Sequence, residues 1–224
     1  MKYKGILLDI DNTLYDYDNS HKIALNRVIT FLKEKFSLSE EEISICYSKA
    51  RSLVQIELGD TAASHNRLLY FQKMLELLEL NPLRYSLTVY NLYWDTFLAS
   101  MKPFNGIYEF LEKYKNRICF VTDLTAHIQH RKIKQLKLDQ YSFLMVTSEE
   151  AGREKPHPYM FMAALKKMNL IPDEVCMIGD SFNKDIVGAS NLGIDAIWIN
   201  LKKENKLYNT NIVTEVYSFD EIKI

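Results

Sequence analysis

The chain has 224 residues, 47% of them hydrophobic, which is enough for one substantial core with a smaller appendage and excludes a disordered chain. Its 28 Lys and Arg against 29 Asp and Glu leave a formal net charge of -1, a balance that favours neither nucleic acid nor an anionic membrane and makes a small molecule the expected partner. Three widely spaced cysteines, Cys46, Cys119 and Cys176, read as reduced core residues, and no apolar run approaches the ~20 residues of a membrane span, so a cytoplasmic soluble protein is expected.

The first element is the apolar run Gly5-Ile6-Leu7-Leu8, which leads into Asp9-Ile10-Asp11 and predicts a central parallel strand buried on both faces. Acids at i and i+2 of a strand share a face, so Asp9 and Asp11 are expected to converge at the carboxyl edge of the sheet, where α/β folds bind ligands. Asp-Asn-Thr after a strand is also ordinary turn chemistry, and this fragment alone leaves both readings open.

Over 15–102 the pattern changes: apolar residues recur at helical spacing and no strand-like run intervenes. Leu25, Val28, Ile29 and Leu32 share a face of a first helix, and Ser39 with Glu42 has the form of a capping box opening a second. Gly59 is expected to end that helix, Ser64 to cap a third, and Pro82 to interrupt a fourth helical stretch that runs to about Met101. The aromatic-rich stretch 85–97 follows helical spacing and reads as core of this insert rather than as a ligand platform. Beyond Gly106, strand-like runs at 118–122, 143–147, 175–179 and 196–199 alternate with helical segments, which implies a parallel sheet with helices on its faces. The predicted architecture is an α/β core, 1–14 and 103–224, with an all-helical insert over 15–102.

Three of these later strands end in residues suited to chemistry. Thr122-Asp123 offers a hydroxyl and backbone amides just before a helix, a setting that can hold an anion, although threonine is common at strand ends. In Glu154-Lys155-Pro156-His157-Pro158 the prolines fix the backbone around Lys155, which could neutralise nearby acids and a phosphoryl group or simply be solvated; His157 reads as a helix-entry residue. In Gly179-Asp180-Ser181-Phe182-Asn183-Lys184-Asp185 the glycine permits a sharp turn, Asp180 emerges at the sheet edge and Asn183 is a plausible helix cap, with Asp185 either near the site or a helix-dipole partner. Carboxylates gathered at one sheet edge repel one another unless a hard cation sits among them, and such oxygen ligands suit Mg²⁺.

In their order and setting, these clusters resemble the four signature motifs of the haloacid-dehalogenase superfamily. The helical insert after the first motif resembles the alpha-helical cap of the subgroup that contains phosphoglycolate phosphatase, beta-phosphoglucomutase and N-acylneuraminate-9-phosphatase. The resemblance implies a Rossmann-like core and a Mg²⁺-dependent phosphomonoester hydrolase acting on a small phosphorylated metabolite. By position it makes Asp9 the nucleophile that becomes an aspartyl phosphate, and Asp11 the acid and then base. It assigns Mg²⁺ to the Asp9 carboxylate, the Asp11 carbonyl and Asp180, with Asp185 tuning the site, and the phosphoryl oxygens to Thr122 and Lys155. The family often has asparagine where this chain has Asp123, an acid that should repel the phosphoryl group unless its side chain points away, so only its backbone amide is carried over. Arg67, His65 and Arg51 are the polar cap candidates for meeting substrate, against an ordinary inter-helix or surface role. Asp11 speaks against the superfamily's dehalogenases, which usually lack the second acid. A phosphomutase and a non-catalytic phosphate-binding protein remain the other readings.

Overall fold

The structure, a computed structural model, describes residues 2–208 and 211–224, so positions 1, 209 and 210 of the predicted core domain lie outside the described residues. In chain order the elements are β1 (Gly5–Leu8), α1 (Tyr17–Phe36), α2 (Glu40–Leu58), α3 (Arg67–Leu77), α4 (Pro82–Ser100), α5 (Ile107–Lys113), β2 (Ile118–Thr122), α6 (Ala126–Gln135), β3 (Leu144–Thr147), α7 (Ser148–Ala151), α8 (Pro158–Met168), β4 (Val175–Gly179), α9 (Val187–Ser190), β5 (Asp195–Ile199) and β6 (Val213–Val216). They fall into two compact units, Met1–Asp16 with Lys102–Ile224, and Tyr17–Met101.

In the α/β unit the strands pair in the order β3-β2-β1-β4-β5-β6, all parallel. Every residue of β1, β2 and β4 is buried, as continuous apolar runs in the middle of a doubly covered sheet require. One face of the sheet, with Leu7, Val121, Met177 and Trp198, packs against Met160, Phe161 and Ala164 of α8. The chain winds outward from β1 in both directions, so the strand order reverses between β1 and β4, and α/β sheets bind ligands at the carboxyl ends flanking such a reversal. The edge strand β6 escapes sequence reading because only Val213 and Val216 of its four residues are buried.

Several local expectations need correction. β1 stops at Leu8, so Asp9 and Asp11 are not consecutive same-face positions of a strand; Asn12, at φ 61°, turns the chain instead. Asn66, not Ser64, caps α3, its side chain accepting the Leu68 N–H at 2.9 Å, while the Ser64 hydroxyl donates to Thr61 O inside a preceding 3₁₀ turn. Pro82 opens α4 rather than interrupting it, at a first-turn position where its missing N–H has no intrahelical partner to lose, and Asn81 caps it. Asn183 lies within a single π-helical turn, Phe182–Ile186, that begins after Ser181. Cys119 and Cys176 are buried as expected, whereas Cys46 is half-buried. In the helical unit, α4 packs on α1 and α3, and α3 on α2, around a core rich in rings that includes Tyr70, Phe71, Tyr93, Trp94 and Phe97. No helix among the described residues is long and apolar enough to cross a membrane.

Candidate active site

The register that pairs Leu8 with Ile178 continues one step beyond the strands, where the Asp9 N–H donates to Ile178 O at 3.0 Å and sets Asp9 alongside Gly179 and Asp180. The turn at Asn12 then brings Thr13 back onto the same edge. Its hydroxyl donates to Asp9 Oδ2 at 2.7 Å and accepts the Asp180 N–H at 3.1 Å, so one buried side chain ties the loops after β1 and β4 together. Asp9 Oδ1 accepts from Lys155 Nζ at 2.5 Å. Both oxygens of the Asp9 carboxylate are thereby fixed in direction.

Lys155 is buried and uses its ammonium on Asp9, on Val121 O at 2.9 Å and on Asp185 Oδ1 at 2.8 Å. The last contact is an ion pair that leaves Asp185 Oδ1 without a well-directed hydrogen bond, while Asp185 Oδ2 accepts the Ser181 N–H at 3.0 Å. Gly179 makes room for this acid, since a Cβ there would stand 2.2 Å from Asp185 Oδ2. One carboxylate oxygen from each of Asp9, Asp180 and Asp185 lies within 4.8 Å of the other two.

Three acids facing one lysine leave a surplus of negative charge. Burial pushes the Asp9 carboxyl up to about 7, with Lys155 pulling it down and Asp185 and Asp11 pushing it further up. Asp180 is pushed up to about 8, by burial first and then by Asp9 and Asp185, and burial also raises Asp185 against the pull of Lys155. Lys155 is penalised by burial, yet Asp185, Asp9 and Asp123 hold it well above the ordinary lysine range. The oxygen-only donor set, its uncompensated charge and the undirected Asp185 Oδ1 fit a hard divalent cation.

The Asp11 side chain stands apart from this cluster. Its oxygens accept from Lys132 Nζ at 2.7 and 2.6 Å, from Tyr15 OH at 2.6 Å and from Gln129 Nε2 at 3.2 Å. Gln129 Nε2 also donates to Thr122 Oγ1 at 2.8 Å and to Asp123 O at 2.7 Å, so the hydroxyl expected to meet phosphate is oriented from α6. Burial alone would raise the Asp123 carboxyl, but Lys155 and Lys184 outweigh it and hold the acid below its usual range. Its Oδ1 accepts the main-chain N–H of Lys155 at 3.0 Å and its Oδ2 accepts from Lys184 Nζ at 2.7 Å. His157 caps α8 through Nδ1, which accepts the Tyr159 N–H at 3.3 Å.

The motifs in the sequence give no role to Thr13, Gln129, Lys132 or Lys184. The signal for two of them was present: Gln129 and Lys132 lie three residues apart on the buried face of α6, beside Ile128 and Ile133, where polar side chains need a reason to be. Of the cap candidates, Arg67 is 6% exposed. It donates through Nη1 to His65 O at 3.1 Å and through Nη2 to Tyr17 OH, with its guanidinium 4.9 Å from the Tyr70 ring centre. His65 is half-buried and Arg51 is exposed on α2.

Comparison with known proteins places these features in a family context. The family model described as haloacid dehalogenase-like hydrolase matches residues 6–199. A ribulose-1,5-bisphosphate 5-phosphatase of Halopiger xanaduensis is 33% identical over 206 residues, covering 90% of this chain and 86% of its own. Human N-acylneuraminate-9-phosphatase is 25% identical, covering 89% of this chain and 83% of its own. Among solved structures, a HAD phosphatase from Thermococcus onnurineus shares the fold with a TM-score of 0.73 at 23% identity, over 97% of this chain and 95% of that one.

Proposed function

The chain belongs to the haloacid dehalogenase-like hydrolases and is a phosphatase, and from that premise we propose that it is a Mg²⁺-dependent hydrolase of a small phosphorylated metabolite that works through an aspartyl phosphate on Asp9. The observation that carries this reading is the fixing of both Asp9 oxygens, by Thr13 and by Lys155, beside the acids Asp180 and Asp185. A carboxylate so held keeps its attacking lone pair in one direction, which supplies part of the barrier reduction through positioning. Asp9, Asp180 and the main-chain carbonyl of Asp11 would hold Mg²⁺, with Asp185 beside them. When bound, the ion offsets the surplus acid charge and the charge of the phosphoryl group.

In the first step the Asp9 carboxylate forms a bond to phosphorus as the ester P–O bond breaks, and Asp11, entering the cycle as the carboxylic acid, gives its proton to the departing alkoxide and is left as the carboxylate that takes a proton back in the second step. In the second, Asp11 takes a proton from water, whose oxygen attacks phosphorus and releases Asp9. Lys132 and Gln129 hold the Asp11 carboxylate, and Gln129 orients Thr122 toward the phosphoryl oxygens. Lys155 restrains the nucleophile. The Asp123 side chain is occupied by Lys155 N–H and Lys184, which leaves its backbone amide for phosphate. The helical insert acts as the cap that selects substrate, with Arg67, His65 and Arg51 as its polar candidates. Sugar phosphates are the first substrates to try, because relatives are named for them, and the cytosol is the compartment this reading implies.

The test is phosphate release from an aryl phosphate and a panel of sugar phosphates. Release should need Mg²⁺, stop with chelator and fall on the order of 10³-fold or more in Asp9→Asn. Full activity in Asp9→Asn, or indifference to chelation, overturns the proposal. Halide release from 2-haloacids without ester hydrolysis would instead identify a dehalogenase.

A further inference from the structure

Three catalytic loops meet at one side chain outside the reacting cluster. Lys184, in the π-helical turn after β4, donates from Nζ to Asp123 Oδ2 at 2.7 Å and to Glu154 Oε2 at 3.0 Å. Asp123 follows Thr122 at the end of β2, Glu154 precedes Lys155 in the loop between α7 and α8, and Lys184 itself precedes Asp185. The second oxygen of Asp123 accepts the main-chain N–H of Lys155 at 3.0 Å. Asp123 and Glu154 are the more deeply placed partners, with side chains 15% and 7% exposed, whereas Lys184 keeps 38% exposure.

The charges explain why the bridge matters. Without Lys184, Asp123 and Glu154 would present two acids, partly removed from water, next to the residues that receive a phosphoryl anion. An acid at 123 that loses Lys184 either repels that anion or draws on its other cationic neighbour, Lys155, which is already committed to Asp9 and Asp185.

We propose that Lys184 is a positioning residue for the phosphatase reaction: by bridging Asp123 and Glu154 it clamps the Lys155 backbone onto Asp123, keeps the Lys155 ammonium on Asp9, and cancels acid charge beside Thr122. The chain thereby uses an acid at position 123 with its own counter-ion built in. This inference rests on the phosphatase reading, but it makes a claim about the Lys155 backbone that does not depend on turnover.

The experiment compares the full-length protein with Lys184→Met, Lys184→Arg and the triple variant Asp123→Asn/Glu154→Gln/Lys184→Met. Lys184→Met should lower kcat by about 10- to 100-fold, the scale of a small misplacement of reacting groups. Lys184→Arg keeps the charge, and the triple variant removes the acids that needed it while the carboxamide introduced by Asp123→Asn retains an acceptor for the Lys155 N–H. Lys184→Arg should keep kcat within about threefold of wild type, and the triple variant should recover about tenfold over Lys184→Met although it carries two more substitutions, a non-additivity that loss of packing does not produce. In parallel, hydrogen exchange of the Lys155 amide by NMR should speed up in Lys184→Met and stay slow in the other two. If Lys184→Met does not fold, Lys184→Gln takes its place in both measurements. A triple variant no better than Lys184→Met, or an unchanged Lys155 amide in Lys184→Met, overturns the proposal. Absence of phosphatase activity in the wild type overturns the functional reading and leaves the exchange measurement to decide the clamp.

Discussion

Each unit of the molecule buries a cation, and the two hold it by different means. In the α/β unit, Lys155 is surrounded by Asp9, Asp185 and the main-chain carbonyl of Val121. In the helical unit, Arg67 lies among tyrosines, with Tyr17 and His65 O taking its hydrogen bonds and the Tyr70 and Tyr93 rings 4.9 and 6.0 Å from its guanidinium. Burial first, and then carboxylates that bring more negative charge than the lysine can cancel, push Asp9 and Asp180 up to about 7 and about 8. The Tyr93 and Tyr70 phenols beside arginine remain neutral in that pH range, since burial keeps Tyr93 well above its usual range and raises Tyr70 as well. One is a place where charge is poised to change and the other a place where it is fixed: the first suits chemistry on an anion, and the second keeps a full positive charge inside the helical unit.

Removing the lysine is the severest way to break this contrast. Lys155→Met leaves Asp9 and Asp185 buried without their cation and should cost about 3–5 kcal/mol, measured by urea unfolding at pH 8 in chelator. The loss should shrink as pH falls, because both acids have raised pKa values in the fold and protonation relieves them. An unchanged urea midpoint at pH 8 would mean that Lys155 is not the counter-ion of the cluster. Gly179→Ala is a gentler probe of the same place. Its Cβ would meet Asp185 Oδ2, Cγ and Cβ at 2.2, 2.5 and 2.8 Å, so Asp185 must move out of its contacts with Ser181 and Lys155. A cost of about 2–3 kcal/mol and a higher Mg²⁺ concentration for half-maximal activity are expected. Identical unfolding and Mg²⁺ titration curves would show that Asp185 has slack the packing does not reveal.

How far the sequence exposed this arrangement depended on range. Continuous apolar runs announced β1, β2 and β4, and acids or threonine directly after them pointed to Asp9, Asp180 and Thr122, because strand burial and strand ends leave a local signature. Lys184 left no such trace: its meaning comes from Asp123 and Glu154, 61 and 30 positions away, brought together only by the strand order. The same holds for Thr13, whose hydroxyl serves Asp180 across 167 positions. Asp123 was legible as a departure but not as a solved one, since an isolated acid looks repulsive until its cation is placed. Helix starts are ambiguous in sequence where two capping residues compete, as with Ser64 and Asn66, because the cap depends on where the backbone turns helical.

The fixed side of the comparison is sharpened by His21, which sits among the aromatic rings of the helical unit with Nδ1 2.7 Å from Tyr93 OH. Burial lowers its pKa to about 4, and the positive charges of Arg67 and Arg51 add to the effect. The imidazole is therefore neutral at pH 7, and its Nδ1 shares a hydrogen bond with the Tyr93 hydroxyl whose donor the ring tautomer decides. In the unfolded chain the same histidine titrates near 6.5, so between pH 6.5 and 4 the unfolded state takes up a proton that the folded state refuses. Its contribution is fully present above 6.5 and is lost as pH falls through that window, by about 1–2 kcal/mol at pH 5 once partial solvent access is allowed for. His21→Asn should remove this dependence: whatever it costs at pH 7, its stability deficit should narrow by that amount at pH 5. Urea unfolding of both proteins at the two pH values measures the difference. A deficit that stays constant between pH 7 and 5 would mean that His21 accepts its proton in the fold as easily as in water, and that the helical core is not closed to charge in the way the tyrosines around Arg67 imply.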